Sequence, residues 1–283
     1  MTAATLLAGG TALALAVAGC GAAAGSAEDG SVQVVVGFYP LQFLAERVGG
    51  DGVQVNSLAQ PGAEPHDLEL APQQIQQVAE ADLVLYLGDF QPAVDDAVEQ
   101  NAPDTSFDVL GADDVDPHVW LDPVRYAELA GAVADQLAST DPDNAQQYRA
   151  NSGDLVVELT GLDEEFRTGL GACERREIVT THSAFGHLAA RYDLEQVGIA
   201  GLSPEDEPSP QTLDEVSRFA AENGVTTIFF EEAVSPEYAE TVADQVGADT
   251  AVLSPVEAVD EGEDYLSVMR TNLATLQDAL GCT

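Results

Sequence analysis

Strand and helix signals alternate along this 283-residue chain, and the alternation breaks once, between residues 143 and 170. There Tyr148, Leu155, Leu159, Leu162, Phe166 and Leu170 recur mostly at three- and four-residue spacing, with no strand signal between them. The spacing predicts one helix of about 28 residues and about 40 Å, because an α-helix rises 1.5 Å per residue. Gly153 weakens it by about 1 kcal/mol relative to alanine. A helix of that length between two differently patterned regions reads as a stiff connector.

Ahead of it, residues 32–38 are a β-branched run and 41–48 an amphipathic helix that stops at Gly49-Gly50. Strands are expected at 53–58, 83–87 and 107–110, with a helix at 73–81 opened by Pro72. After the connector, strands are expected at 178–181, 194–197, 225–230 and 251–253. Helices are expected at 184–192, 211–223, 235–246 and 265–280. This is the βαβα rhythm of mostly parallel sheets flanked by helices. The expected fold is α/β with two such domains, residues 31–142 and 172–283, joined by a connector helix at 143–171. The chain shows no internal sequence repeat and no nucleotide-binding glycine fingerprint.

Charge narrows the partners. There are 50 Asp and Glu against 9 basic residues, all arginine, for a net charge of -41. Nucleic acid and anionic membrane would repel such a surface. A surface adapted to high salt, where screening acts over a few ångströms, accounts for the charge without any metal site.

The first twenty residues read as an export segment whose apolar region is too short to span a bilayer. No Lys or Arg precedes the apolar run. It ends in Val17-Ala18-Gly19-Cys20, which looks like a lipobox and makes Cys20 the expected lipid attachment site. Residues 21–30 then form a small-residue tether. With Cys20 so used, Cys173 and Cys282 remain as a possible disulfide or as two unpaired thiols.

The chain has four histidines. His66 and His182 follow expected strands, and His118 lies in a proline-stiffened loop. Ligands of α/β sheets gather at the carboxyl ends of strands, so three histidines sit in loops compatible with one crevice. His187 lies inside the helix after His182 and reads as a surface or packing residue. Three neutral imidazoles suit a borderline-soft divalent ion, and zinc asks for a fourth ligand. Carboxylates are available after two strands, at Glu231-Glu232 and at Glu257, and composition does not choose between them.

At these residues the chain resembles the metal-binding lipoproteins that deliver zinc or manganese to ABC importers, the cluster A-I solute-binding proteins. "PGAEPHDLEL" resembles the family's first ligand loop and implies a ligand role for His66; "DPHVWLDP" resembles the second and implies His118. "THSAFGHLAARYDL" resembles the third and implies His182, with histidine rather than glutamate marking the zinc branch. "VLSPVEAV" has Ser254 where an aspartate ligand often stands, and Glu257 where a zinc-selective branch has a glutamate ligand. The resemblance therefore implies Glu257 as fourth ligand, with Glu231, Glu64 or water as alternatives. Residues 88–115 hold no histidine, so the auxiliary metal-capturing loop of many zinc members is not expected. His187 stands where the third motif usually has tyrosine. The pair Cys173 and Cys282 is similar to a disulfide of some members.

The resemblance implies an extracytoplasmic, lipid-anchored, monomeric receptor on the outer face of the cytoplasmic membrane. It would pass Zn²⁺ (Mn²⁺ as the alternative) to a membrane permease and catalyse nothing. Affinity should fall below about pH 6.5 as protons compete for imidazole. The rival classes are a secreted zinc hydrolase with Glu257 or Glu64 as general base, and an adhesin with an incidental metal.

Overall fold

The computed structural model describes residues 30–111, 115–232 and 234–283, together with Met1. Cys20, the export segment and most of the tether lie outside the described residues. Residues Ser31–Thr283 form one compact unit.

The β-branched run after Ser31 becomes β1 (Val32–Val36), flanked in parallel by β2 (Val53–Ser57) and β3 (Leu83–Tyr86). With β4 (Ser106–Asp108) the sheet order is β2-β1-β3-β4. The second sheet is built from β5 (Glu177–Thr180), β6 (Glu195–Gly198), β7 (Thr227–Phe230) and β8 (Asp249–Val252). Its order, β6-β5-β7-β8, repeats the first, again all parallel. The two halves thus share a topology that their sequences do not display. The inner strands are nearly continuous in buried residues, whereas the edge strands are half-exposed, as expected of parallel sheets covered on both faces.

Side-chain alternation along the strands feeds two layers. Val34 and Val36 face the main core, and Val35 points to the opposite face with Val84. That outer layer is closed by α2 (Pro72–Glu80) and α3 (Pro92–Asn101) through Val78, Val94 and Val98. In the second sheet Val179 and Ile228 are covered by α7 (Pro210–Asn223) and α8 (Glu237–Val246). The inner faces meet α1 (Tyr39–Gly49), α4 (Pro123–Thr140), α6 (Gly186–Arg191) and α9 (Tyr265–Leu280).

The connector is α5 (Ala145–Gly169), 25 residues rather than the expected 28, or about 37 Å. Its buried stripe is Tyr148, Leu155, Leu159, Leu162 and Phe166, as the spacing predicts. It packs on α1 and α4 at one end and on α9 at the other. Asn151 donates to the Val48 carbonyl at 2.9 Å, and Gln277 donates to the Gly169 carbonyl at 3.2 Å. Just beyond it Cys173 is disulfide-bonded to Cys282 after α9.

Two helices, α3 and α4, fall outside the sequence expectations. α4 starts where Asp122 accepts the backbone N–H groups of Val124 (2.9 Å) and Arg125 (3.4 Å), with Pro123 first in the helix. That is a strong start signal, but it lies inside a motif read for its histidine.

Candidate metal centre

Four loops at the carboxyl ends of strands supply the site. His66 follows β2, His118 follows β4, His182 follows β5 and Glu257 follows β8. Both sheets present these ends to one crevice, and the four side chains converge there, each offering a ligand atom within 4.8 Å of the others. His118 and His182 are fully buried, while His66 and Glu257 remain 9% and 7% exposed.

Three of the donor spacings match those around a tetrahedral ion. Zinc at its usual bond lengths puts neighbouring donor atoms about 3.3–3.5 Å apart. Glu257 Oε1 lies 3.3 Å from His66 Nε2, 3.5 Å from His118 Nε2 and 3.9 Å from His182 Nε2. His182 Nε2 and His118 Nε2 are 3.4 Å apart. Three imidazoles and one carboxylate also form a softer set than manganese prefers.

Each ligand is oriented from behind. His118 Nδ1–H donates to Asp116 at 2.8 Å, and His182 Nδ1–H donates to Glu231 at 2.6 Å, which leaves both Nε2 atoms free to face the cluster. Thr181 donates its hydroxyl to the same Glu231 oxygen. The His66 ring meets the Phe90 ring at 4.4 Å, and Gln91 Nε2 donates to the Pro65 carbonyl at 3.0 Å. Glu231, one of the carboxylates left open above, therefore stands behind His182 rather than in the cluster. Glu64 is likewise turned to its own loop, accepting the backbone N–H groups of His66 (3.0 Å) and Asp67 (3.2 Å). Burial, offset only partly by the His66 N–H, pushes its carboxyl up to about 7.

Burial alone would raise the Glu257 carboxyl and depress the His118 imidazole. The hydrogen bonds win in both: His118 and His66 hold Glu257 down to about 2, and Asp116 with Glu257 pushes His118 up to about 9. The cluster is thus a buried anion surrounded by imidazoles, built to hold positive charge.

Residues 34–279 match the family described as the periplasmic component A of the zinc-uptake complex. The chain belongs to this family. Among its relatives, the high-affinity zinc uptake system protein ZnuA of Bacillus subtilis is 34% identical, the alignment covering 94% of each chain. The zinc-binding lipoprotein AdcA of Streptococcus pneumoniae is 32% identical over 88% of this chain, which spans 56% of that longer protein. The fold is also that of the laminin-binding protein Lmb of Streptococcus agalactiae, described as having adhesin and metal-transporting activity. The two superpose with a TM-score of 0.81 and 34% identity over 88% of this chain and 100% of that one. The Zn(II)-bound ZnuA-like domain of AdcA gives 0.76 at 32% identity, covering 88% and 99%.

Within this zinc-uptake family frame, His187 is not in the cluster. Its Nε2–H donates to the Asp116 carbonyl at 2.9 Å, and its Nδ1 accepts from Arg125 at 2.9 Å. It ties α6 to the loop that orients His118. Asp116, Thr181 and Gln91 are positioning residues that the sequence reading missed, whereas His187, read there as a surface or packing residue, is half-buried and packs through these hydrogen bonds. Only Asp116, two residues before His118 and on the same loop, carried a usable signal.

Proposed function

We propose that this chain is the zinc-capturing receptor of an ABC importer, with His66, His118, His182 and Glu257 as the ligands of the transported ion. The observation that carries this reading is the convergence of four buried donors, two from each sheet, with ligand atoms all within 4.8 Å of one another. A local structural zinc site draws on short sequence pairs; ligands drawn from two sheets suit an ion held between two lobes. We take those lobes as residues 31–142 and 172–283, bridged by 143–171.

Zinc is the cargo rather than a resident catalyst. Four side-chain donors close a tetrahedral shell and leave no position for an activated water, which favours carriage over hydrolysis. The family's place in an uptake complex supports a membrane permease as partner. Val17-Ala18-Gly19-Cys20 supports lipid anchoring at Cys20 outside the cytoplasmic membrane, and we take the receptor to act as a monomer. Among the described residues no helix is long and apolar enough to cross a membrane.

The test is a competitive titration of the metal-stripped full chain with Zn²⁺ and Mn²⁺ at high salt, beside His182→Ala. One tight zinc equivalent, indifferent to excess manganese and weakened by orders of magnitude in the variant, is expected. Weak, multiple, salt-sensitive binding that ignores the substitution would refute the reading.

A further inference from the structure

The three residues before Glu257 are each pinned, and the last of them is in a conformation its type avoids. Ser254 is held through both backbone groups by one side chain on α9: its N–H donates to Asn272 Oδ1 at 2.9 Å, and its carbonyl accepts from Asn272 Nδ2 at 2.7 Å. Asn272 is itself only 2% exposed. The Pro255 carbonyl accepts from Trp120 Nε1 at 2.7 Å, across 135 residues of chain. Val256 donates its N–H to Ser254 Oγ at 3.1 Å and adopts φ of +59°. Among the described residues the other non-glycine ones with positive φ are Asp89 and Asp193, a type that tolerates the left-handed region. A fully buried β-branched valine there is a genuine outlier, and such outliers persist only where the surroundings over-determine them.

We propose that Asn272, assisted by Trp120, is a positioning residue for the metal centre: it holds the left-handed Val256 turn that aims Glu257 at the three histidines. Without these pins Val256 relaxes towards the extended backbone valine prefers, and that rotation carries the next side chain, the Glu257 carboxylate, out of the cluster. Among the described residues no positive-φ non-glycine turn precedes a histidine ligand, so this clamp makes Glu257 a ligand that a local change can withdraw. This inference rests on the zinc-receptor reading of the same site.

The experiment is a double-mutant cycle on the full chain. Zinc affinity is measured by competition with a chromogenic chelator for wild type, Asn272→Leu, Glu257→Ala and the double variant. Loss of a residue that orients a metal ligand costs about 10- to 100-fold in affinity, and Asn272→Leu is expected in that range. Because Asn272 acts through Glu257, the double variant should bind no more weakly than Glu257→Ala alone. With Co²⁺ as the probe, the visible bands of Asn272→Leu should shift towards those of Glu257→Ala while the circular dichroism of the metal-free protein stays unchanged. Wild-type affinity in Asn272→Leu, or losses that multiply in the double variant, would overturn the proposal. If Asn272→Leu does not fold, Trp120→Phe, which removes the donor to Pro255 and keeps a ring, runs through the same cycle with the same two refuting outcomes. A wild type without a tight zinc site refutes the receptor reading instead. Glu257→Ala binding as tightly as wild type refutes Glu257 as ligand, and the clamp with it.

Discussion

Zinc binding should release about one proton per ion near neutral pH, and that proton should come from His118. In the metal-free protein Asp116 and Glu257 outweigh the burial of this imidazole and push it up to about 9, so it is protonated at pH 7. Zinc needs the Nε2 lone pair and must displace that proton. Apparent affinity should therefore rise about tenfold per pH unit from about 6.5 to 9. Between pH 7 and 9 the gain is about 100-fold, or roughly 2.7 kcal/mol at 1.36 kcal/mol per unit. Proton competition thus starts well above the pH 6.5 expected of an ordinary histidine. The stability of the metal-free fold runs the other way. A raised imidazole contributes stability below its unfolded value of 6.5, and this is lost as pH climbs through the folded value. The depressed Glu257 is the other half of the same interaction, so its contribution disappears as pH falls from 4.5 towards 2. The raised Glu64 carboxyl adds to the loss of stability between about pH 4.5 and 7. Zinc titrations in buffers of different ionisation enthalpy, with melts of the metal-free protein from pH 5 to 9, measure both. Proton-free zinc binding at pH 7.5, or a metal-free melting temperature that rises from pH 6.5 to 9, would refute the electrostatics described here. Asp116→Asn should reduce the proton release, since it removes the strongest partner holding His118 up.

Three further outcomes are expected. Glu231→Gln removes the charge that accepts the His182 Nδ1–H and should weaken zinc by about 10- to 100-fold in chelator competition with the metal-free melt little changed; unchanged affinity would deny its orienting role. Cys173→Ser with Cys282→Ser opens a bridge across 109 residues and should cost about 4–5 kcal/mol in the chain-entropy account, read as a lower denaturant midpoint with the zinc stoichiometry unchanged. At a net charge of -41, the melting temperature should rise with sodium chloride, and most steeply at low ionic strength, where the Debye length is longest; a flat salt series would mean that self-repulsion contributes little.

Most of the architecture was legible because periodicity is local. The β-branched run of β1 and the three- and four-residue spacing of α5 each report burial within a few residues. α4 escaped because its start signal, Asp122-Pro123, abuts His118 in one short stretch. The repeated sheet order escaped because it lives in crossovers, not in residue types. The ligands were legible as rare residues in loops after strands, and the choice of Glu257 over Glu231 rested on resemblance alone. Geometry separates those two acids physically: one faces the imidazole Nε2 atoms, and the other accepts a hydrogen from the far side of a ring. The groups behind the ligands were the least legible, since Glu231 reaches His182 across 49 residues and Trp120 reaches Pro255 across 135. Such pairs exist only once the chain has folded.

In the receptor we propose, release would be local, because the described residues offer little to bend. One hydrophobic cluster runs from Val34 through α4 and α5 to Leu276, with no break between the two sheets. The Tyr265 ring of α9 meets the Tyr126 ring of α4 at 4.4 Å, tilted by 34°; Tyr265 donates to the Trp120 carbonyl at 2.5 Å, and Tyr126 donates to the Pro40 carbonyl at 2.6 Å. Wide closure about a hinge would have to separate these buried rings and expose their polar atoms, at about 1–3 kcal/mol for each unmade buried hydrogen bond. Moving one or two ligand loops breaks far fewer contacts. His66 and Glu257 keep the only solvent exposure among the four ligands, so in the proposed receptor they are the ones a permease would reach. His118 and His182, fully buried and fixed from behind by Asp116 and Glu231, would then be the last to let the ion go.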